Sequence, residues 1–171
     1  MSTATKMNFD KEVFRIRGER LVHVLQLTNV NKEDVENYLC TSVTSTNGVC
    51  ITWLSIREEG STINYERKHT WLLKDLTLID GINALEDNAR FDMHFGNHIY
   101  TLTAYSTASK YAFLRCIRKM SDEYLHGDLR WLNFDQDFVG STSCVLVADD
   151  ITLTMKLCIE ASGFVCLFIC I

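Results

Sequence analysis

The chain contains no proline, which excludes a proline-rich linker. It also lacks an excess of positive charge. The formal net charge is −5, with an isoelectric point near 5.5. A globally basic surface for nucleic acid is therefore not expected, and attraction to an acidic membrane would have to come from a local patch. Met1 to Asp10 is polar and holds no apolar run of the kind a secretory signal needs. Glycine does not follow Met1, so N-myristoylation is not indicated. The seven cysteines are Cys40, Cys50, Cys116, Cys144, Cys158, Cys166 and Cys170. Their number is odd and no pair has C-x-x-C spacing, so they read as reduced thiols packed as small apolar groups. No G-x-S-x-G, glycine-rich phosphate loop or H-E-x-x-H is present. The expectation is a protein with no catalytic residues, cofactor or metal.

What is present suits one folded domain. The chain has 171 residues, 47% of them apolar, enough to build a real core. Residues 1–18 read as a polar lead-in with Val13, Phe14 and Ile16 as packing residues. Residues 19–127 read as the domain, and residues 128–171 as a C-terminal extension. Strands are expected at Leu21–Leu27, Tyr38–Thr44, Val49–Ile56, Thr62–Leu73, Leu76–Ile79, Arg90–Phe95 and His98–Ala104. Asn29–Asn37 reads as a polar loop and Arg57–Ser61 as a charged hairpin connection. Phe91, Met93 and Phe95 alternate with Asp92 and His94, a period of two with one buried and one wet face. Gly96-Asn97 is a hairpin signal.

A helix follows from about Thr107 to His126, capped by Ser106 or Thr107 and stopped by His126-Gly127. Phe113, Ile117, Met120 and Tyr124 form one apolar stripe on it, with Lys110, Arg115, Arg118 and Lys119 mostly off it. The fold expected is α+β: seven antiparallel strands closing as a sheet or barrel, capped by this helix. Beyond it, the last apolar run, Ala161 to Ile171, is about half the roughly 20 residues of a membrane-spanning helix.

A collinear series of segments carries a family resemblance. The segments are Glu19-Arg20-Leu21, Tyr38-Leu39-Cys40-Thr41, Trp71-Leu72-Leu73-Lys74-Asp75-Leu76, Phe91-Asp92-Met93-His94-Phe95, and Ser106-Thr107-Ala108 through Tyr124-Leu125. Over roughly Phe9 to Phe134 the order of motifs resembles the N-terminal domain of exocyst complex component 1. That domain is a phosphoinositide-binding, pleckstrin-homology-like (PH-like) fold. The resemblance implies a non-enzymatic module of exocytosis, acting in vesicle tethering and Golgi-to-plasma-membrane transport. It implies inner-leaflet phosphatidylinositol 4,5-bisphosphate, exocyst subunits and a Rho-type small GTPase as partners, and a cytoplasmic protein peripheral at the plasma membrane.

The chain departs from the family where the family carries lysines. The first strand connection, Asn29 to Asn37, has one base against three acids, and Arg57 is followed by Glu58 and Glu59. Bases near an anionic leaflet contribute roughly 1 kcal/mol each, so these exchanges remove most of the attraction. Lys32, Arg57, Arg67 and Lys68 remain as the expected phosphoinositide-binding residues, with Lys74 able to complete a smaller pocket. Binding through them is expected to be weak. The alternative is a protein-interaction domain that has lost lipid binding.

Other groupings read more simply. Asp92, His94 and His98 around the Gly96-Asn97 turn read as wet-face residues of a hairpin rather than metal ligands. Asp149-Asp150 reads as a turn or solvated end, and Cys166 and Cys170 read as buried tail thiols or as part of a tail whose membrane role depends on lipidation. Trp53, Trp71 and Trp131 read as core or interface residues, since no basic groove surrounds them.

Overall fold

The computed structural model describes residues 3–28, 35–60, 62–83, 86, 88–125 and 129–134. These residues belong to one compact unit, residues 1–140; a second unit, residues 141–171, lies outside the described residues. So do Lys32, the expected helix stop at His126-Gly127, Asp149-Asp150 and the four tail cysteines.

Seven strands precede the long helix. They are β1 (Glu19–Leu27), β2 (Val35–Thr44), β3 (Val49–Glu59), β4 (Thr62–Leu72), β5 (Leu76–Asp80), β6 (Arg90–Phe95) and β7 (His98–Thr103). The first four form an antiparallel sheet in the order β1-β2-β3-β4. The others form a second sheet in the order β7-β6-β5-β8, where β8 (Arg130–Leu132) follows the helix and runs parallel to β5. The sheets meet at a corner. Thr28 N–H donates to the Thr103 carbonyl at 2.8 Å and Tyr105 N–H to the Gln26 carbonyl at 3.0 Å. The fold is thus the expected α+β, PH-like arrangement, with an eighth, parallel strand added. Three residues of mixed polarity carry too little periodicity to announce that strand.

Over the middle of β2 and most of β3 both faces of the first sheet are covered, which explains the near-continuous burial there. The inner face carries Leu25, Leu27, Leu39, Val43, Val49 and Ile51 into the main core, with Phe91, Met93, Phe113 and Ile117. The outer face carries Leu21, Val24, Tyr38, Cys40, Leu54 and Ile56, which pack on Phe9, Val13 and Phe14. The expected polar lead-in is therefore a folded lid. It comprises α1 (Thr3–Phe9), a π turn at Asp10–Phe14 and a 3-10 turn at Arg15–Arg17. It ends at Gly18, whose φ of 71° is left-handed and comfortable only without a side chain. Of the lead-in residues expected to pack, Val13 and Phe14 do, whereas Ile16 is 74% exposed.

Two bulges set which residues face inward. Strand neighbours normally alternate between faces. The β1–β2 register shifts between Leu21 and His23, and the β3–β4 register shifts opposite Trp53 and Leu54. In β4 the extra residue changes the parity. Arg67 faces outward, Lys68 and His69 both face inward, and Trp71 enters the interior against Phe95 at 4.8 Å.

The long helix α2 spans Thr107–Leu125. Ser106 caps it: its Oγ accepts from Ser109 N–H at 3.1 Å, and Ser109 Oγ accepts from Ser106 N–H at 3.1 Å. Phe113, Ile117 and Met120 are buried as the stripe requires, joined by Leu114 and Cys116. Lys110 differs from the expectation, being only 2% exposed. Its Nζ donates to the carbonyls of Asn88 and Arg90, both at 2.8 Å, and so pins the β5–β6 connection to the helix. The chain after α2 returns against Gly81, where a Cβ would lie 2.2 Å from the Asn133 carbonyl oxygen. Only glycine fits that approach.

Candidate functional site

The inner face of the first sheet changes character along its strands. Toward the helix-capped end it is apolar. Toward the β3–β4 hairpin the same face carries Asn37, Ser55, Arg57, Glu59, Asn64, Glu66 and Lys68. With the ends of β1 and β7 these residues line an open cleft of about 520 Å³. Its apolar floor includes Trp53, Leu27 and Leu102. Asn37 fixes the floor, accepting from Trp53 Nε1 at 3.0 Å and from Ser55 Oγ at 2.7 Å through one Oδ1.

Two of the four expected binding residues meet here. Arg57 and Lys68 both line the cleft, from adjacent strands. Arg57 lies within β3, because pairing with β4 continues to Glu59↔Thr62, beyond the point where a hairpin connection was expected. Likewise β2 begins at Val35, opposite Arg57, earlier than the expected Tyr38. Lys32 belongs to the neighbouring β1–β2 connection, outside the described residues. Lys74 sits exposed in the 3-10 turn between β4 and β5 and does not line the cleft.

Arg67 is placed elsewhere. It lies on the outer face with its side chain only 16% exposed, and its guanidinium grips Glu19 at 2.8 and 3.4 Å. Thr52 Oγ1 accepts from Arg67 at 3.0 Å and Thr70 Oγ1 at 3.3 Å. Ser42 Oγ donates to the same Glu19 carboxylate at 2.6 Å, and the Phe14 ring stacks at 5.3 Å from the guanidinium carbon. Arg67 therefore ties β4 to β1 across the sheet and holds the lid. The alternation of strand side chains makes it unlike its neighbour Lys68, although the two read alike in sequence.

The cleft is electrically self-neutralised. Lys68 Nζ is 2.7 Å from Glu66, and Arg57 is 3.9 Å from Glu59. All four side chains are 45–65% exposed, so each pair is worth about 0–1 kcal/mol. A phosphate oxygen carrying more charge can displace such a carboxylate, at the cost of leaving that carboxylate nearby. Glu58 adds a further acid at the hairpin, and Ile63 beside it is 47% exposed.

Among the described residues no three His, Cys, Asp or Glu side chains converge to hold a metal. His94 lies opposite Ile99, and His98 opposite Phe95. Burial holds the thiols of Cys40, Cys50 and Cys116 protonated, with Cys116 pushed up to about 11. No helix among the described residues is long and apolar enough to cross a membrane.

Residues 32–123 match the family described as the exocyst complex component SEC3 N-terminal PIP2 binding PH. Exocyst complex component 1-like from Mus musculus is 36% identical over 171 residues, covering 99% of this chain and 98% of that protein. Exocyst complex component 1 from Mus musculus is 30% identical over 131 residues, covering 77% of this chain. The aligned part is only 14% of that longer protein. The hSac2 domain of human phosphoinositide phosphatase Sac2 overlays with a TM-score of 0.45 at 10% identity, over 87% of this chain and 98% of that one.

Proposed function

Because this chain belongs to the exocyst SEC3 N-terminal PIP2-binding PH family, we propose that it is a non-enzymatic recognition module of exocytosis, peripheral at the cytoplasmic face of the plasma membrane. Its cleft takes the phosphorylated headgroup of an inner-leaflet phosphoinositide, weakly, through Arg57 and Lys68, and Lys32 is a further candidate base for the same headgroup. Arg67 contributes by holding the sheet rather than by touching ligand. The observation that carries this reading is the convergence of Arg57 and Lys68 on one open cleft. The acids Glu59 and Glu66 beside them set the affinity low. Co-sedimentation of the full chain with phosphatidylcholine vesicles, with and without phosphatidylinositol 4,5-bisphosphate, tests it. Enrichment on the phosphoinositide vesicles that disappears in Arg57→Gln/Lys68→Gln supports the reading. Equal partition to both vesicles overturns it.

A second reading has its own support. The hairpin presents Glu58 and Glu59 beside the exposed Ile63, an acidic and apolar tip suited to a basic protein surface. On this reading the module binds an exocyst subunit or a Rho-type small GTPase. Affinity capture of the full chain, compared with Glu58→Lys/Ile63→Asp, separates the two. Recovery of such a partner by the wild type alone supports docking through this tip.

A further inference from the structure

The floor of the cleft is apolar where its walls are charged. Trp53 of β3 lines it, paired with Leu39 of β2 on one side and His69 of β4 on the other. The one polar group of an indole is its N–H donor, and here Nε1 already donates to Asn37 Oδ1 at 3.0 Å. The same oxygen accepts from Ser55 Oγ at 2.7 Å, and Ser55 is only 4% exposed. The ring is thus pinned at its polar edge. What it offers the cleft is carbon surface with no free hydrogen-bonding group.

The other two tryptophans are used differently. Trp71 stacks on Phe95 and meets Tyr100 edge-on, both at 4.8 Å, and Trp131 meets Phe134 at 5.8 Å. Among the described residues no aromatic ring packs on Trp53, which is part-exposed at the cleft. Leu27 and Leu102 extend the same apolar floor. A phosphate group, charged and hydrated, gains nothing from such a floor. The charge above it discriminates little, because Glu59 and Glu66 partly neutralise Arg57 and Lys68. A cyclitol ring supplies both halves of the match. Its phosphates project around the rim, and the face opposite its axial hydroxyl carries axial C–H groups that can lie on an indole.

We propose that Trp53, positioned by Asn37, is the platform on which the ring of a phosphorylated cyclitol lies while Arg57 and Lys68 take its phosphates. Trp53 is then a specificity-determining residue, selecting a cyclitol phosphate over an acyclic phosphate headgroup of equal charge. This rests on the reading of the cleft as a phosphoinositide site and adds the ring to what the cleft recognises.

Co-sedimentation of the full chain with phosphatidylcholine vesicles carrying either phosphatidylinositol 4,5-bisphosphate or phosphatidic acid, at matched total charge, tests this. The wild type should favour the phosphoinositide vesicles. Trp53→Leu should lower that partition roughly tenfold and leave the phosphatidic acid partition unchanged, whereas Trp53→Phe should keep most of the preference. Both variants lose the bond to Asn37, so the difference between them isolates the ring face. A second arm needs no variant and no bilayer. Soluble inositol 1,4,5-trisphosphate titrated into the wild type should shift the indole N–H signal of Trp53 and leave those of Trp71 and Trp131 unmoved. Trp53→Leu binding phosphoinositide vesicles as well as the wild type, or losing both vesicle types alike, overturns the proposal. So does a silent Trp53 signal while the Lys68 amide shifts, and in that case the reading of the cleft survives. A wild type that enriches on neither vesicle overturns that reading and this inference with it.

Discussion

Arg67 and Lys68 are chain neighbours on one strand, yet they stand on opposite faces of the first sheet. The outer face around Arg67 is closed by the N-terminal lid, and its carboxylate partner Glu19 is only 10% exposed. The inner face around Lys68 is open, with its partner Glu66 65% exposed. The chemistry is the same on both sides, an ion pair between a base and a glutamate. Burial alone decides whether the pair is architecture or an exchangeable contact. In a closed environment the guanidinium has no better partner than the carboxylate beside it. In an open one a ligand phosphate competes on nearly equal terms.

The comparison breaks most visibly if Arg67 is removed. Arg67→Ala leaves Glu19 buried without its countercharge and should cost roughly 3–5 kcal/mol in urea denaturation. A loss below about 1 kcal/mol would place Arg67 with the surface pairs. Next in size is the closed end of the inner face. There burial, aided by Lys6 and Arg115, lowers the His23 pKa to about 4. The folded state thus favours the neutral ring. The associated stability is complete above the unfolded value of about 6.5 and is lost as pH falls toward the folded one. The stability difference between wild type and His23→Gln should narrow on the order of 2 kcal/mol from about pH 7 to about pH 5. A difference independent of pH would contradict the assignment.

Smaller effects belong to the open cleft. Glu66→Gln removes the acid beside Lys68 and should strengthen binding to phosphoinositide vesicles by about 1 kcal/mol, roughly fivefold. Weaker binding would show that Glu66 contacts the ligand favourably. The smallest effect is on stability. Lys68→Ala should change the denaturation free energy by no more than about 0.5 kcal/mol, while lowering vesicle binding. A loss comparable with that of Arg67→Ala would erase the distinction between the two faces.

Much of this was legible in the sequence. The alternation of Phe91, Met93 and Phe95 and the stripe of Phe113, Ile117 and Met120 named the strands and helix, because periodicity reports the buried face directly. The N-terminal lid was not legible. Its buried Phe9, Val13 and Phe14 are few, and a π turn interrupts their helical spacing. Lys110 was misplaced because a charge reads as solvent-facing, whereas backbone carbonyls of a distant loop receive it. Of the expected binding residues, Arg57 and Lys68 line one cleft. Arg67 was grouped with them because adjacency in sequence hides the alternation of faces, and the bulge that turns both Lys68 and His69 inward shows only in the register.

The most direct test of the division between the faces is a two-dimensional amide NMR titration of the full chain with soluble inositol 1,4,5-trisphosphate. The account predicts shifts concentrated at Asn37, Ser55, Arg57, Glu66 and Lys68, with the Arg67 guanidinium and its neighbours Thr52 and Thr70 unmoved. Shifts centred on the Arg67 guanidinium and Glu19, with the cleft silent, would contradict it.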